Sequence, residues 1–153
     1  MNEHDNVKIV QDVYLAFRER NISELLNCLA EDVKWFSIGP PEIIPTAGKR
    51  RGRDQVRQYF AALEANEEFR GFRPQEFIAE GDKVVAIGEL ESRVKSTGSL
   101  IESPWVHVFT LCQGKISEFR SFYDTAAVVT ALAGFQSRPA NARTSETRRP
   151  AIL

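Results

Sequence analysis

Two histidines occur in the 153 residues, and only His107 stands inside a patterned apolar segment, flanked by Val106 and Val108. On a strand its side chain points away from both valines. In an apolar cavity the neutral imidazole is favoured, with one ring nitrogen donating and the other accepting. His107 is therefore a candidate catalytic residue, able to act as general base, as acid or as a hydrogen-bond donor that polarises a carbonyl. The competing role is that of a core histidine satisfied by a nearby hydroxyl, for which Tyr14, Ser121 and Tyr123 are available. Asp124 is a second candidate catalytic acid, although its place before Thr125-Ala126-Ala127 equally suits a helix cap. The candidate binding residues are Tyr14, Trp35, Ser37, Phe60, Trp105, Phe109, Phe119, Ser121 and Tyr123. Their rings could wall a flat or ring-shaped ligand and their hydroxyls could orient it.

Which side chains face one another depends on the hairpin around Gln113-Gly114, because a slip of one residue turns a strand over. A three-residue loop, Cys112 to Gly114, gives Gly114 the left-handed bulge position and sets Leu111 opposite Lys115 and His107 opposite Phe119. One face then carries Trp105, His107, Phe109, Leu111, Phe119, Ser121 and Tyr123, and the other Val106, Val108, Ile116, Glu118, Arg120 and Phe122. A two-residue loop instead sets His107 beside Arg120 and groups Asp124 with Trp105. The bulged turn is preferred, since it needs glycine at its third position. Its outer face remains apolar enough to call for a cover, and a second copy of the chain is the simplest one. Glu91 and Arg93 form a carboxylate–guanidinium set that is either solvated or aimed at a substrate. Arg50, Arg51 and Arg53 form a basic cluster that is either solvated or an anion site.

The elements that must position these groups are legible from periodicity. Val10, Val13, Tyr14 and Phe17 mark one helix; Ile22, Leu25, Leu26 and Leu29 mark a second, with Asn21 and Glu24 in the form of a capping box. Val33 to Ser37 reads as a strand, and Gly39, Pro40, Pro41, Pro45 and Gly48 break the next stretch into a loop over a cavity mouth. Val56, Tyr59, Phe60 and Leu63 mark a third helix. Strands follow at Phe72–Ala79, Val84–Val94, Ser103–Leu111 and Lys115–Tyr123, then a short helix capped by Asp124 and ended by Gly134. The expected organisation is one domain over residues 1–135 and a mobile tail over 136–153, where Arg, Pro, Ser and Thr crowd out apolar residues.

Composition narrows the function. Lysine and arginine total 20 against 21 acidic residues, a net charge of −1, which offers a polyanion no attracting field; nucleic acid is not an expected partner. Cys28 and Cys112 stand far apart with no metal-binding spacing and read as reduced, buried, small apolar residues; neither metal nor cofactor is expected. The polar, acidic start MNEHDNVK does not resemble a signal peptide and no apolar run is long enough to span a bilayer, so the expectation is a cytoplasmic protein with no membrane partner.

Four segments carry a family resemblance: Ala30-Glu31-Asp32-Val33-Lys34-Trp35, Ala47-Gly48-Lys49-Arg50-Arg51-Gly52-Arg53, Trp105-Val106-His107-Val108-Phe109, and Gly114-Lys115-Ile116 through Phe122-Tyr123-Asp124-Thr125. In this order, over about Val7 to Leu132, they resemble the SnoaL-like, ketosteroid-isomerase-like branch of the nuclear transport factor 2-like superfamily. The resemblance implies an α+β, cone-shaped fold: a strongly bent, mainly antiparallel sheet wrapped around about three helices, with an apolar pocket inside and often a homodimer across the sheet. It implies no single reaction, since such folds serve enzymes and non-enzymatic modules alike; the leading expectation is a small-molecule enzyme, an isomerase, cyclase or hydrolase acting on a hydrophobic carbonyl or cyclic substrate. The rivals are a non-catalytic ligand-binding module and a dimeric interaction module whose cone is filled by its own rings. By resemblance, Ser37 takes the place of the isomerases' general-base aspartate and Ser121 that of an epoxide-hydrolase aspartate, and a serine cannot do either job near neutral pH. His107 falls near the position of the isomerases' proton-donating acid, so a hydrogen-bonding role survives best.

Overall fold

In a computed structural model, which describes residues 2–135, Val10, Val13 and Ala16 bury the inner stripe of α1 (Glu3–Arg18), and Leu25 and Leu26 bury that of α2 (Ile22–Asn27). A reciprocal capping box forms at Asn2 and Asp5 rather than at Asn21, whose side chain accepts from the Glu24 amide at 3.1 Å. Helix α1 therefore begins earlier than its apolar stripe suggested and takes in His4. The chain continues through β1 (Leu29–Ser37), β2 (Gly48–Arg51), α3 (Gly52–Asn66), β3 (Glu67–Glu80), β4 (Lys83–Val94), β5 (Leu100–Cys112), β6 (Lys115–Tyr123) and α4 (Thr125–Leu132). The tail expected over 136–153 lies outside the described residues.

The six strands form one curled sheet in the order β2-β1-β6-β5-β4-β3, antiparallel except where β1 runs parallel to β6. Strand β3 is an edge, which tolerates Pro74, and it carries register shifts between Phe69 and Gly71 and between Pro74 and Glu76. Such bulges bend a strand and sharpen its twist, and here they fold the edge over α1. Gly88 lets the wall close: a Cβ there would collide with the Trp105 ring and the Arg73 carbonyl oxygen.

The hairpin departs from the expected three-residue loop. Cys112 pairs with Lys115, so the loop is two residues, Gln113 and Gly114, both left-handed at φ 51° and 78°. That loop alone would have set His107 beside Arg120. A bulge then intervenes, since Leu111 pairs with Ile116 but Thr110 with Glu118; the extra residue, Ser117, donates its hydroxyl to the Thr110 carbonyl at 3.2 Å. The bulge restores the parity, and His107 faces Ser121 rather than Phe119. Trp105, His107, Phe109, Leu111, Phe119 and Ser121 are buried on the inner face. Ile116, expected outside, is fully buried against Leu111, because it lies before the bulge.

Glu91 and Arg93 project outwards into cross-strand pairs with Arg70 and Glu68, at 4.0 and 3.8 Å. Cys112 is exposed and Cys28 half-buried, both as free thiols, so neither is the buried residue expected. Cys112 meets solvent at a strand end, and Cys28, at the cap of α2, packs only one side against the core. No helix among the described residues is long and apolar enough to cross a membrane.

Candidate functional site

The inner face of the sheet, α1 and α3 line a half-open cavity of about 90 Å3. Its centre is the contact of α1 with β5: the Tyr14 hydroxyl lies 2.7 Å from His107 Nδ1, with the two rings nearly parallel at 15°. Trp105 stacks on His107 at 4.2 Å between centroids, Phe72 stacks on Trp105 at 4.8 Å, and Phe119 meets His107 edge-on. Surrounded by rings, the imidazole loses its hydration, and burial lowers its pKa from 6.5 to about 3. The same burial pushes the Tyr14 phenol up. Both groups are neutral near pH 7.

A neutral phenol and a neutral imidazole together carry two protons and spend one on their mutual bond. With the proton on Nε2, Tyr14 donates to Nδ1 and the Nε2–H is left over; with it on Nδ1, the imidazole donates and the phenol O–H is left over. Either arrangement keeps one donor for a ligand oxygen. Two further donors lie in the cavity wall: Trp35 Nε1 and Trp105 Nε1 are buried with no hydrogen-bond partner. Each orphaned N–H costs about 1–3 kcal/mol.

Away from the histidine the lining turns polar. Ser37 lies beside the Tyr59 and Tyr123 phenols, and Tyr123 donates to the Ile38 carbonyl at 2.9 Å. Burial raises both phenols, and the Arg50 guanidinium sits 5.3 Å from the Tyr59 ring centre. Glu67 is half-buried and accepts from the Ser92 hydroxyl at 2.9 Å; burial pushes its carboxyl up, with the serine bond opposing.

His107 and all nine sequence-derived binding residues line this one cavity. Asp124 does not. It is exposed at the start of α4, where its side chain accepts from the Ala127 amide at 3.0 Å. Two of the three basic residues are spent on the backbone: Arg50 of β2 donates to the Thr46 and Pro45 carbonyls of the proline-rich loop, and Arg53 of α3 donates twice to that of Leu29 in β1. Sequence reasoning missed Glu67, Tyr59 and Phe72. Glu67 stands in Asn66-Glu67-Glu68-Phe69, whose composition gives no sign of an inward carboxylate, and the α3–β3 junction alone decides its direction. Tyr59 could have been found from its place on the apolar stripe of α3.

Outside the cavity, between α1, α3 and β3, runs a groove of about 1040 Å3. Phe17, Phe60, Phe69 and Phe72 line both spaces and form the partition between them.

A curled six-stranded sheet closed over its helices, with a pocket inside the cone, defines the nuclear transport factor 2-like class. A family model described as a SnoaL-like domain matches residues 10–119, and the chain belongs to that family. A solved NTF2-like protein from Burkholderia xenovorans LB400 is 32% identical over 86% of this chain and 98% of its own, with a TM-score of 0.79. An NTF2-like protein of unknown function from Burkholderia pseudomallei K96243 is 26% identical over 86% and 98%, at 0.78. TerC, co-crystallized with polyporic acid, is 25% identical over 84% and 98%, at 0.75. A search of curated proteins finds no significant match.

Proposed function

We propose that the chain is a SnoaL-like small-molecule enzyme acting on a hydrophobic carbonyl or cyclic substrate, by isomerisation, cyclisation or hydrolysis. The Tyr14–His107 pair serves as hydrogen-bond donor to the substrate oxygen. The observation that carries this reading is the 2.7 Å contact of two neutral, buried groups inside an apolar cavity, with one donor left over. A donor fixed in a dry site stabilises charge developing on an oxygen far better than water does, because it need not reorient. The solved relative crystallised with polyporic acid supports a small organic ligand.

One observation favours the non-catalytic readings: a cavity of 90 Å3 is well below the roughly 300 Å3 at which ordinary ligand pockets begin. Native mass spectrometry of ligands retained through purification, followed by turnover of the identified class by His107→Gln and Tyr14→Phe, decides the matter. Unchanged turnover in both variants removes the catalytic assignment, and a change in affinity alone makes the chain a binding module. The outer sheet face, with Val85, Ile87, Val106, Val108 and Phe122 all partly exposed, supports a homodimer; light scattering showing a monomer at micromolar concentration would remove it.

A further inference from the structure

The groove outside the cone has the size that the cavity lacks. Its volume of about 1040 Å3 stands just past the upper end of the range of ordinary small-molecule sites, roughly 300–1,000 Å3. Its floor is the outer side of the phenylalanine partition: Phe17 touches Phe60 and Phe69, Phe69 touches Phe72, and none of the four is fully buried. Leu15, 42% exposed, and Ile22 continue this apolar surface on α1 and α2. Contiguous rings left open to solvent mark a surface that something apolar covers. The charges along the groove are sorted by sign. At the α3–β3 junction Glu68 pairs with Arg93, Glu67 accepts from Ser92, and Lys95 donates to the Glu64 carbonyl oxygen. Arg57 stands two helical turns before Glu64 on α3, about 10 Å away along the axis, and α2 packs against this helix. Arg18 closes α1 and Arg20 forms the corner leading into α2. Arg70, Arg73 and Arg93 each pair with a glutamate, whereas Arg18, Arg20 and Arg57 take part in none of the ion pairs found among the described residues. The dipole of α1 accounts for Arg18 in its last turn, but for neither of the others. Arg20 is held at φ 59°, a left-handed position that glycine takes without strain, and strained residues of this kind collect at ligand clamps.

We propose that the groove is a second binding site, for an amphipathic monocarboxylate whose hydrocarbon body lies along the outer faces of the phenylalanines and whose carboxylate is held by Arg18, Arg20 and Arg57. The site does not depend on the chemistry assigned to Tyr14 and His107. Three like charges gathered against apolar walls repel one another and focus a positive field, and one carboxylate relieves both. A guanidinium meets a carboxylate with two parallel N–H bonds, so a neutral or cationic molecule with the same body gains nothing from this end of the groove. The glutamates at the α3–β3 junction act in the opposite sense: they repel a second anionic group, which restricts the ligand to a single charge at one end.

The test titrates the full chain with sodium octanoate by isothermal calorimetry, with 1-octanol and octyltrimethylammonium as the neutral and cationic forms of the same body. Methyl NMR locates the site, because Leu15 and Ile22 line the groove alone and Ile101 and Val128 line the cavity alone. Octanoate should bind roughly 10-fold more tightly than either control, shift the Leu15 and Ile22 methyls, and weaken as salt is raised. Arg57→Gln should weaken octanoate about 10-fold and leave 1-octanol unchanged. Arg20→Gly should also weaken octanoate and yet melt no lower than the wild type, since glycine relieves the left-handed backbone. No binding of octanoate by the wild type, equal binding of 1-octanol, shifts confined to Ile101 and Val128, or wild-type affinity in both arginine variants overturns the proposal. So does sedimentation showing that octanoate splits a dimer as it fills the groove, which makes a second copy of the chain the occupant.

Discussion

Replacing His107 with glutamine should flatten the acid side of the stability curve. The folded protein holds the imidazole near a pKa of 3, whereas in the unfolded chain it returns to about 6.5. Between these values the unfolded chain binds a proton that the folded chain refuses, so stability rises with pH across the window. The contribution is fully present above about pH 6.5 and is lost as pH falls towards 3. Each pH step of one across which the two states differ by a whole proton is worth about 1.4 kcal/mol, so from pH 7 to pH 4.5 the wild type should lose roughly 2.5 kcal/mol more than His107→Gln. Glutamine can still bond the Tyr14 hydroxyl but cannot titrate. Glu67, whose raised carboxyl works in the opposite sense, is present in both proteins and cancels in the difference. Urea unfolding at the two pH values, followed by the fluorescence of Trp35 and Trp105, reads the effect directly. Parallel losses in the two proteins would show that the imidazole is not held neutral by its ring cage, and the chemistry assigned to it would fall.

Tyr14→Phe strands His107 Nδ1 without its 2.7 Å partner and should cost about 1–3 kcal/mol in urea unfolding at pH 7. Gly88→Ala forces a methyl group against the Trp105 ring and the Arg73 carbonyl, so about 1–3 kcal/mol should be lost together with the near-ultraviolet circular dichroism of the stacked tryptophan. Asp124→Ala should lower stability by about 1 kcal/mol in thermal melts, through the lost bond to the Ala127 amide, while Asp124→Asn, which can make the same bond, should stay within a few tenths of the wild type.

Most helices and strands were legible because each buries a single face; β2, which has no fully buried residue, was missed and read as loop. Val10 and Val13 on α1, and Val84, Ala86 and Val94 on β4, repeat at periods that admit one reading each. The edge strand was less so. Glu68 and Arg70 of β3 carry charges outwards beside a bulge, and Glu67 turns a charge inwards, so the alternation by which a strand is recognised is lost and β3 begins five residues before its apolar signal at Phe72. The exposed Cys112 was misread for a related reason: cysteine's general preference for burial says nothing about a residue on the turn flank of a hairpin.

The candidate site shows where local pattern stops being enough. The inward direction of His107 follows from two irregularities of opposite effect, a tight Gln113-Gly114 turn that shifts the parity by one and a bulge at Ser117 that shifts it back. Glycine at 114 fits either turn, so the residues of the loop could not separate a bulge inside it from a bulge three residues later; the apolar face was the firmer guide, because burying Trp105, Phe109 and Phe119 together requires the parity that the bulge restores. Glu67 had no such guide. Its direction is fixed by the joint between α3 and β3 and by the buried Ser92 on the neighbouring strand, a contact across 25 residues. A carboxylate that turns inwards against its own polarity is visible only once the wall around it has been built. The histidine and its ring cage could therefore be inferred from pattern, whereas the inward turn of Glu67 could not.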